Sequence, residues 1–267
     1  MKKLVLFIFF ILTSITFSQE NLDTISGKIM VEDSLSVDSI EQINLYNPLL
    51  PPNTYTDINN PNYWKNKMPH PGYWQQDVHY QISAEIIDNE NLIKGHEILT
   101  YTNNSPDELN YVFFHLYQNA FEPGSYLDKF RTANKMESIY RPDELKQKGT
   151  EILSVKSNDE VLDIEIDNTI MKVFLKEPLK SGESIVFDIV FDTYFGGNQE
   201  EGNVRRRMKV YEEFGNKHYN GVHWYPRISV YDRKFGWTTD QHLGKEFYGD
   251  FGCFDVELTF PENYIVE

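Results

Sequence analysis

Cysteine is nearly absent: Cys253 is the chain's one thiol, so no intrachain disulfide holds it together. Stability has to come from packing, and a chain of 267 residues can bury one large core or two small ones. Basic charge is also scarce, at 25 Lys and Arg against 41 Asp and Glu. Without a basic stripe there is nothing to displace counterions from a phosphate backbone, which excludes nucleic acid as a partner. No apolar run reaches the ~20 residues that a helical span requires. There is no G-x-S-x-G elbow and no glycine-rich phosphate loop, which removes two common catalytic frames. No internal repeat and no sustained helical period is present.

At the amino end, Lys2 and Lys3 precede an apolar run from Leu4 to Phe17, and Thr16 and Ser18 put small residues before Gln19. This is the pattern of a cleaved signal peptide over residues 1–18. The expectation is an exported protein, periplasmic or secreted, with no membrane anchor after cleavage. Removing residues 1–18 takes away two Lys and no acid, leaving 23 basic against 41 acidic side chains, a net charge of −18. A solvated acidic surface of this kind keeps an exported protein soluble.

Residues 19–40 are polar and without period, as a flexible leader is. Between 41 and 72, Pro48, Pro51, Pro52, Pro61, Pro69 and Pro71 alternate with Tyr55, Tyr63 and Trp64. That composition reads as an irregular proline- and aromatic-rich arm, with a disordered linker as the other reading.

From Val78 the period becomes two. Val78, Tyr80, Ile82, Ala84 and Ile86 alternate with polar residues, which predicts a half-buried strand. The turn Asp88–Asn91 joins it to a second strand, Leu92–Thr102, as a hairpin. Leu109–Tyr117 is apolar at nearly every position and predicts a strand covered on both faces. Pro123–Lys148 reads as a helical or irregular insertion. Further strands are expected at Glu151–Lys156, Val161–Ile166, Ile170–Leu175, Ser184–Asp192 and Phe254–Phe260. Together these predict a mainly β fold, an antiparallel saddle-like or sandwich β-domain over residues 73–267, preceded by the irregular arm.

The seven His residues offer no metal set. His96-Glu97 begins like a zinc-protease helix, but the residue four places on is Thr100, and the surroundings alternate as a strand does. His218 and His223, five apart, would face opposite sides of a strand. His79 and His115 read as sheet-surface or hydrogen-bonded residues, and Cys253 as a small buried thiol. No catalytic constellation emerges. The segment Tyr219–Asp232 differs, with His223, Trp224, Tyr225 and Arg227 packed around Gly221 and Pro226. Aromatic rings with one or two fixed polar groups are what a side-chain pocket is made of, so these four are the candidate substrate-binding residues. The other reading makes Trp224 and Tyr225 core, with Arg227 capping a buried carboxylate.

Several blocks occur in a telling order: FHLYQNAF followed by PGS, then WYPRISVYD, GW, TDQ and the closing FDVELTFPENYIV. In sequence and spacing they resemble the amino-terminal β-domain of the aminopeptidase N family (peptidase family M1, zinc gluzincins). The resemblance covers Tyr73 to Glu267 and looks closest to exported bacterial members. It implies a β-saddle lying over a thermolysin-like zinc domain, where it helps hold a peptide by its free amino end and first side chain. It implies zinc in the parent enzyme, although the family's H-E-x-x-H and G-x-M-E-N motifs have no counterpart here. The chain is therefore expected to be inactive alone and to be a fragment, its partner being the catalytic zinc domain and its ligand a peptide substrate. Relatives often carry a Gln where His223 stands, so the pocket's preference departs from theirs. The alternative is a stand-alone periplasmic β-domain that binds peptide or glycan.

Overall fold

The structure is a computed structural model that describes residues 2–8, 72–136, 148–196, 208–213, 215–244 and 248–265. The chain divides into two compact units, residues 1–10 with 74–267, and residues 11–73. The arm and flexible leader fall in the second unit and, apart from Gly72 and Tyr73, lie outside the described residues, as does most of the predicted signal.

In chain order the elements are β1 (Lys2–Ile8), β2 (Asp77–Ile87), β3 (Leu92–Thr102), β4 (Leu109–His115), a 3-10 turn (Tyr117–Phe121), α1 (Tyr126–Ala133), β5 (Thr150–Ser157), β6 (Glu160–Val161), β7 (Ile164–Asp167) and β8 (Ile170–Leu179). They continue as β9 (Ser184–Tyr194), β10 (Lys209–Glu213), β11 (Asn216–Asn220), β12 (Arg227–Ile228), β13 (Tyr231–Asp232), β14 (Gly236–Trp237) and β15 (Cys253–Phe260). One sheet has the order β1-β15-β2-β3-β9-β5-β6 and faces a smaller one ordered β12-β4-β8-β7. The fold is mainly β and sandwich-like, as the alternation predicts. Among the described strands all pairings are antiparallel except β15 on β2, which is parallel.

The period of two does its work on β2. Val78, Tyr80, Ile82 and Ala84 are buried, while His79, Gln81, Ser83 and Glu85 point outward. The predicted hairpin forms, with Ile87 opposite Leu92 across the Asp88–Asn91 turn. Leu99 and Tyr101 of β3 and Phe187, Ile189 and Phe191 of β9 complete this inner face, and Val112, Phe114, Met171 and Val173 of the smaller sheet pack against it. Phe114 and Phe187 bridge the sheets edge to face, their centroids 5.6 Å apart. Burying each such ring contributes roughly 1.5–3 kcal/mol. Gly95 is required by this layer: it lies opposite Phe191, and a Cβ there would collide with the Phe191 ring.

Ser125 caps α1, its Oγ accepting the Asp128 N–H at 3.1 Å, which starts the helix found among the described residues of the predicted insertion. Three expectations are corrected. The strand predicted at Val161–Ile166 is two short strands, β6 on β5 and β7 on β8, because the chain crosses between sheets at the buried Leu162. Strand β4 is not covered on both faces: Tyr111 is exposed on its outer side, where the Lys172 ammonium lies 4.2 Å from the ring centroid. Cys253 is exposed, not buried, since it opens β15 on the outward side of the alternation.

The His96-Glu97 pair also resolves as a strand. His96 faces out, its Nε2 3.1 Å from Asp188 Oδ1, while Glu97 turns into the core opposite Ile82 and Ile189, fully excluded from solvent. Neither carboxyl oxygen of Glu97 has a hydrogen-bond partner. Burial pushes its carboxyl well above the usual range, which favours the neutral acid over the charged form.

Candidate functional site

The four candidate residues sit on an irregular segment pinned at its far end. After β11 the chain turns at His223, whose φ of +62° lies in the left-handed region that non-glycine residues seldom adopt. Pro226 then leads into β12, where Arg227 lies opposite His115 of β4. The Ile228 N–H donates to the Tyr80 hydroxyl oxygen at 3.1 Å, and the Ser229 N–H donates to the Phe113 carbonyl at 2.8 Å. These bonds tie the end of the segment to both sheets.

Trp224 and Tyr225 are half-buried and pack against the core, as the second reading of the sequence requires. Tyr225 meets Tyr80 at 5.4 Å and Trp224 at 5.3 Å, both edge to face. Burial pushes the Tyr225 hydroxyl up to about 12, with Arg227 pulling the other way. His223 instead meets Tyr117, at 5.0 Å. Tyr117 is the hub of three imidazoles: His115 stacks on it at 4.8 Å and 3°, and His242 meets it edge on at 5.6 Å. Burial first, then Arg227, hold His115 down at about 4, so it stays neutral at physiological pH.

Arg227 is the exception in this group. It is half-buried, with the rings of Tyr117, Tyr225 and Tyr80 and the imidazole of His115 in its field. Among the described residues it has no ion pair and no hydrogen bond to its guanidinium. Gly249 packs against that guanidinium so closely that a Cβ there would collide with it. The adjacent Asp250 is the carboxylate that the capping reading called for, but the two groups do not bond. Burial raises the Asp250 carboxyl to about 6, Arg227 opposes that rise and Asp232 adds to it. Neighbouring Tyr248 is anchored by its hydroxyl donating to Asp232 Oδ2 at 2.6 Å.

The TDQ block has a positional job. The Gln241 amide oxygen accepts from the Thr169 N–H at 3.1 Å and from its hydroxyl at 2.7 Å, while Nε2 donates to the Asp167 carbonyl at 2.8 Å. Loop 238–242 is thereby held over the His115 end of the smaller sheet.

Sequence reasoning found Trp224, Tyr225 and Arg227 as one neighbourhood but missed Tyr117, Gly249 and Asp250. The block FHLYQNAF held a signal for Tyr117, whereas nothing local marks Asp250 among so many acids. His218 sits on β11 beside Tyr211, while His223 lies beyond that strand, so the two do not share one. His79 is hydrogen-bonded to Asp255 at 2.8 Å, as a sheet-surface residue should be. Among the described residues no three His, Cys, Asp or Glu side chains converge as a metal requires, so these residues do not fit zinc.

Comparison with known proteins returns no matching family model and no matching curated protein. Similar solved structures include an M1 zinc metallopeptidase from Deinococcus radiodurans, with 15% identity and a TM-score of 0.38 over 73% of this chain and 34% of that one. A mutant of it bound to a Tyr-Ser-Ala substrate gives 14% identity, a TM-score of 0.38 and the same two coverages. A two-domain M1 zinc metallopeptidase mutant bound to L-tryptophan gives 15% identity and a TM-score of 0.38, over 73% of this chain and 35% of that one. The likeness is a coarse one of fold. The chain spans about a third of the length of these proteins.

Proposed function

We propose that this chain is the amino-terminal, substrate-positioning β-domain of an exported zinc aminopeptidase, a fragment of an enzyme that removes amino-terminal residues from peptides. The observation that supports it is the fate of the WYPR block. It is a half-buried segment whose arginine has, among the described residues, no ion pair and no hydrogen bond to its guanidinium. In this reading His223, Trp224, Tyr225 and Arg227 touch the peptide. Zinc and its ligands belong to the catalytic zinc domain, where a metal ion supplies a nucleophilic water. This chain's contribution is to hold and orient the substrate, which sets how often a bound peptide is in reach of attack.

The test is to join residues 19–267 to the zinc domain encoded after them and follow release from aminoacyl anilides. Zinc-dependent cleavage is expected, lowered by Tyr225→Ala or Arg227→Gln. A folded, zinc-loaded protein with no such activity would overturn the reading. Export is checked by the amino terminus of the secreted product, which should be Gln19. Cleavage there would also remove β1, so the larger sheet of the mature chain would have six strands.

A second reading, a free-standing module for peptide or glycan, draws on the ladder of Trp74, Tyr231 and Trp237, with centroid steps of 5.4 and 4.9 Å. Saturable binding of such a ligand by the monomeric chain, with no open frame for a zinc domain, would move it into first place.

A further inference from the structure

Arg227 and Asp250 are two opposite charges brought near each other by Gly249, and among the described residues they bond neither to each other nor to anything else. A half-buried charge surrenders solvation and normally recovers it from a partner. Both Asp250 oxygens lack hydrogen bonds, and Oδ2 is sealed from solvent. Arg227 lies close enough to influence Asp250 yet forms no ion pair with it. Their anchors differ. Arg227 is fixed by β12 in register with His115, and Asp250 by the Tyr248–Asp232 bond and the run into β15. Gly249 fills the space against the guanidinium, so the arginine is braced on backbone rather than swung toward the acid. Tyr225, Tyr117 and His115 lie within electrostatic reach of the arginine, and Tyr101 and Asp232 within reach of the acid.

We propose that Arg227 and Asp250 form a two-charge clamp for a ligand with a carboxylate and an ammonium a few ångströms apart, the guanidinium taking the carboxylate and Asp250 the ammonium. Guanidinium and carboxylate are matched as a bidentate fork, and an ammonium on a partly desolvated carboxylate makes a charge-assisted hydrogen bond. Such a ligand is a peptide with an acidic first residue, or a free amino acid presenting its own carboxylate. The inference deepens the peptide-holding role proposed above and rests on it for the peptide source. It predicts that the domain favours acidic amino-terminal residues and discriminates against amino-acetylated ones.

The test uses the full chain and isothermal titration with Glu-Ala-amide, N-acetyl-Glu-Ala-amide, Gln-Ala-amide and free alanine. Glu-Ala-amide should bind, and removing either the ammonium or the side-chain carboxylate should weaken binding at least tenfold. Arg227→Gln and Asp250→Asn should each do the same to Glu-Ala-amide while the thermal melt stays sharp. Gly249→Ala keeps both charges but pushes the guanidinium aside, so it should weaken binding without abolishing it. If free alanine binds as well as Glu-Ala-amide and loses affinity in both charge variants, the clamp stands and its carboxylate is the amino acid's own. Equal affinity for Gln-Ala-amide, indifference to the Arg227 and Asp250 variants, or no binding at all would overturn it. The titration needs no zinc domain, so it fails or succeeds separately from the aminopeptidase assay.

Discussion

The interior between the two sheets and the segment from Gly221 to Asp250 obey opposite rules. In the interior, side chains alternate, rings bridge the sheets, and Phe114, Phe187, Leu99 and Met171 are shut off from water completely. In the outer segment, strands shrink to two residues, a histidine takes a positive φ, and among the described residues Arg227 and Asp250 have no side-chain hydrogen-bond or ion-pair partner. Packing alone determines the first region. The second departs from packing rules while being tied firmly at Ile228, Ser229 and Gln241, which is how a fold carries a site without loosening its core.

The contrast can be broken most sharply from the inside. Phe187→Ala should cost about 3–5 kcal/mol, because it deletes a fully buried ring that meets Phe114 across the sandwich; urea unfolding measures it. Gly95→Ala should cost about 1–3 kcal/mol by forcing the Phe191 ring to move, and Phe191→Leu in the same chain should recover part of that loss.

Glu97 tests the rule that the interior tolerates no charge. Its carboxyl is raised in the folded state, so the native chain keeps a proton that the unfolded chain gives up. That stabilisation is complete below the unfolded carboxylate pKa and is lost as pH climbs toward the folded one. Across that window stability should fall by about 1.4 kcal/mol per pH unit from this group. Glu97→Gln should flatten the profile of melting temperature against pH, and a slope unchanged by the substitution would show that Glu97 is ionised in the fold. The smallest stability effect belongs to the outer segment. Arg227→Gln removes no ion pair or side-chain hydrogen bond among the described residues, only the packing against Gly249, and should shift stability by less than about 0.5 kcal/mol, while altering ligand binding far more.

The same division explains how much could be read from residues alone. Strands β2, β9 and β15 were legible because a half-buried strand writes its two faces into the chain as a period of two, whereas β3, β5 and β8 were legible only from their β-forming residues between turns. Their partners were not, since alternation at Phe254–Phe260 says nothing about lying parallel to β2, where Cys253 sits opposite His79. The apolar run at β4 misled, because Tyr111 serves as a platform for Lys172 rather than as core. Glu97 was passed over for a different reason: one acid in a strand looks like any other until the face it occupies is known. For the site, aromatic density marked 223–227, and Asp250 came to Arg227 only through the return of the chain to β15.

That return has a consequence for how the chain is made. Strand β2 emerges early from the ribosome and finds β3 within a few residues, yet its other edge waits for a strand made far later. At 5–20 residues per second, the 176 residues between His79 and Asp255 take roughly 10 to 35 s. Through that interval a row of unpaired backbone groups stands open beside an apolar face. Newly made chains are thus at greatest risk of sticking to one another before β15 arrives, and a holding chaperone would be of most use during those seconds.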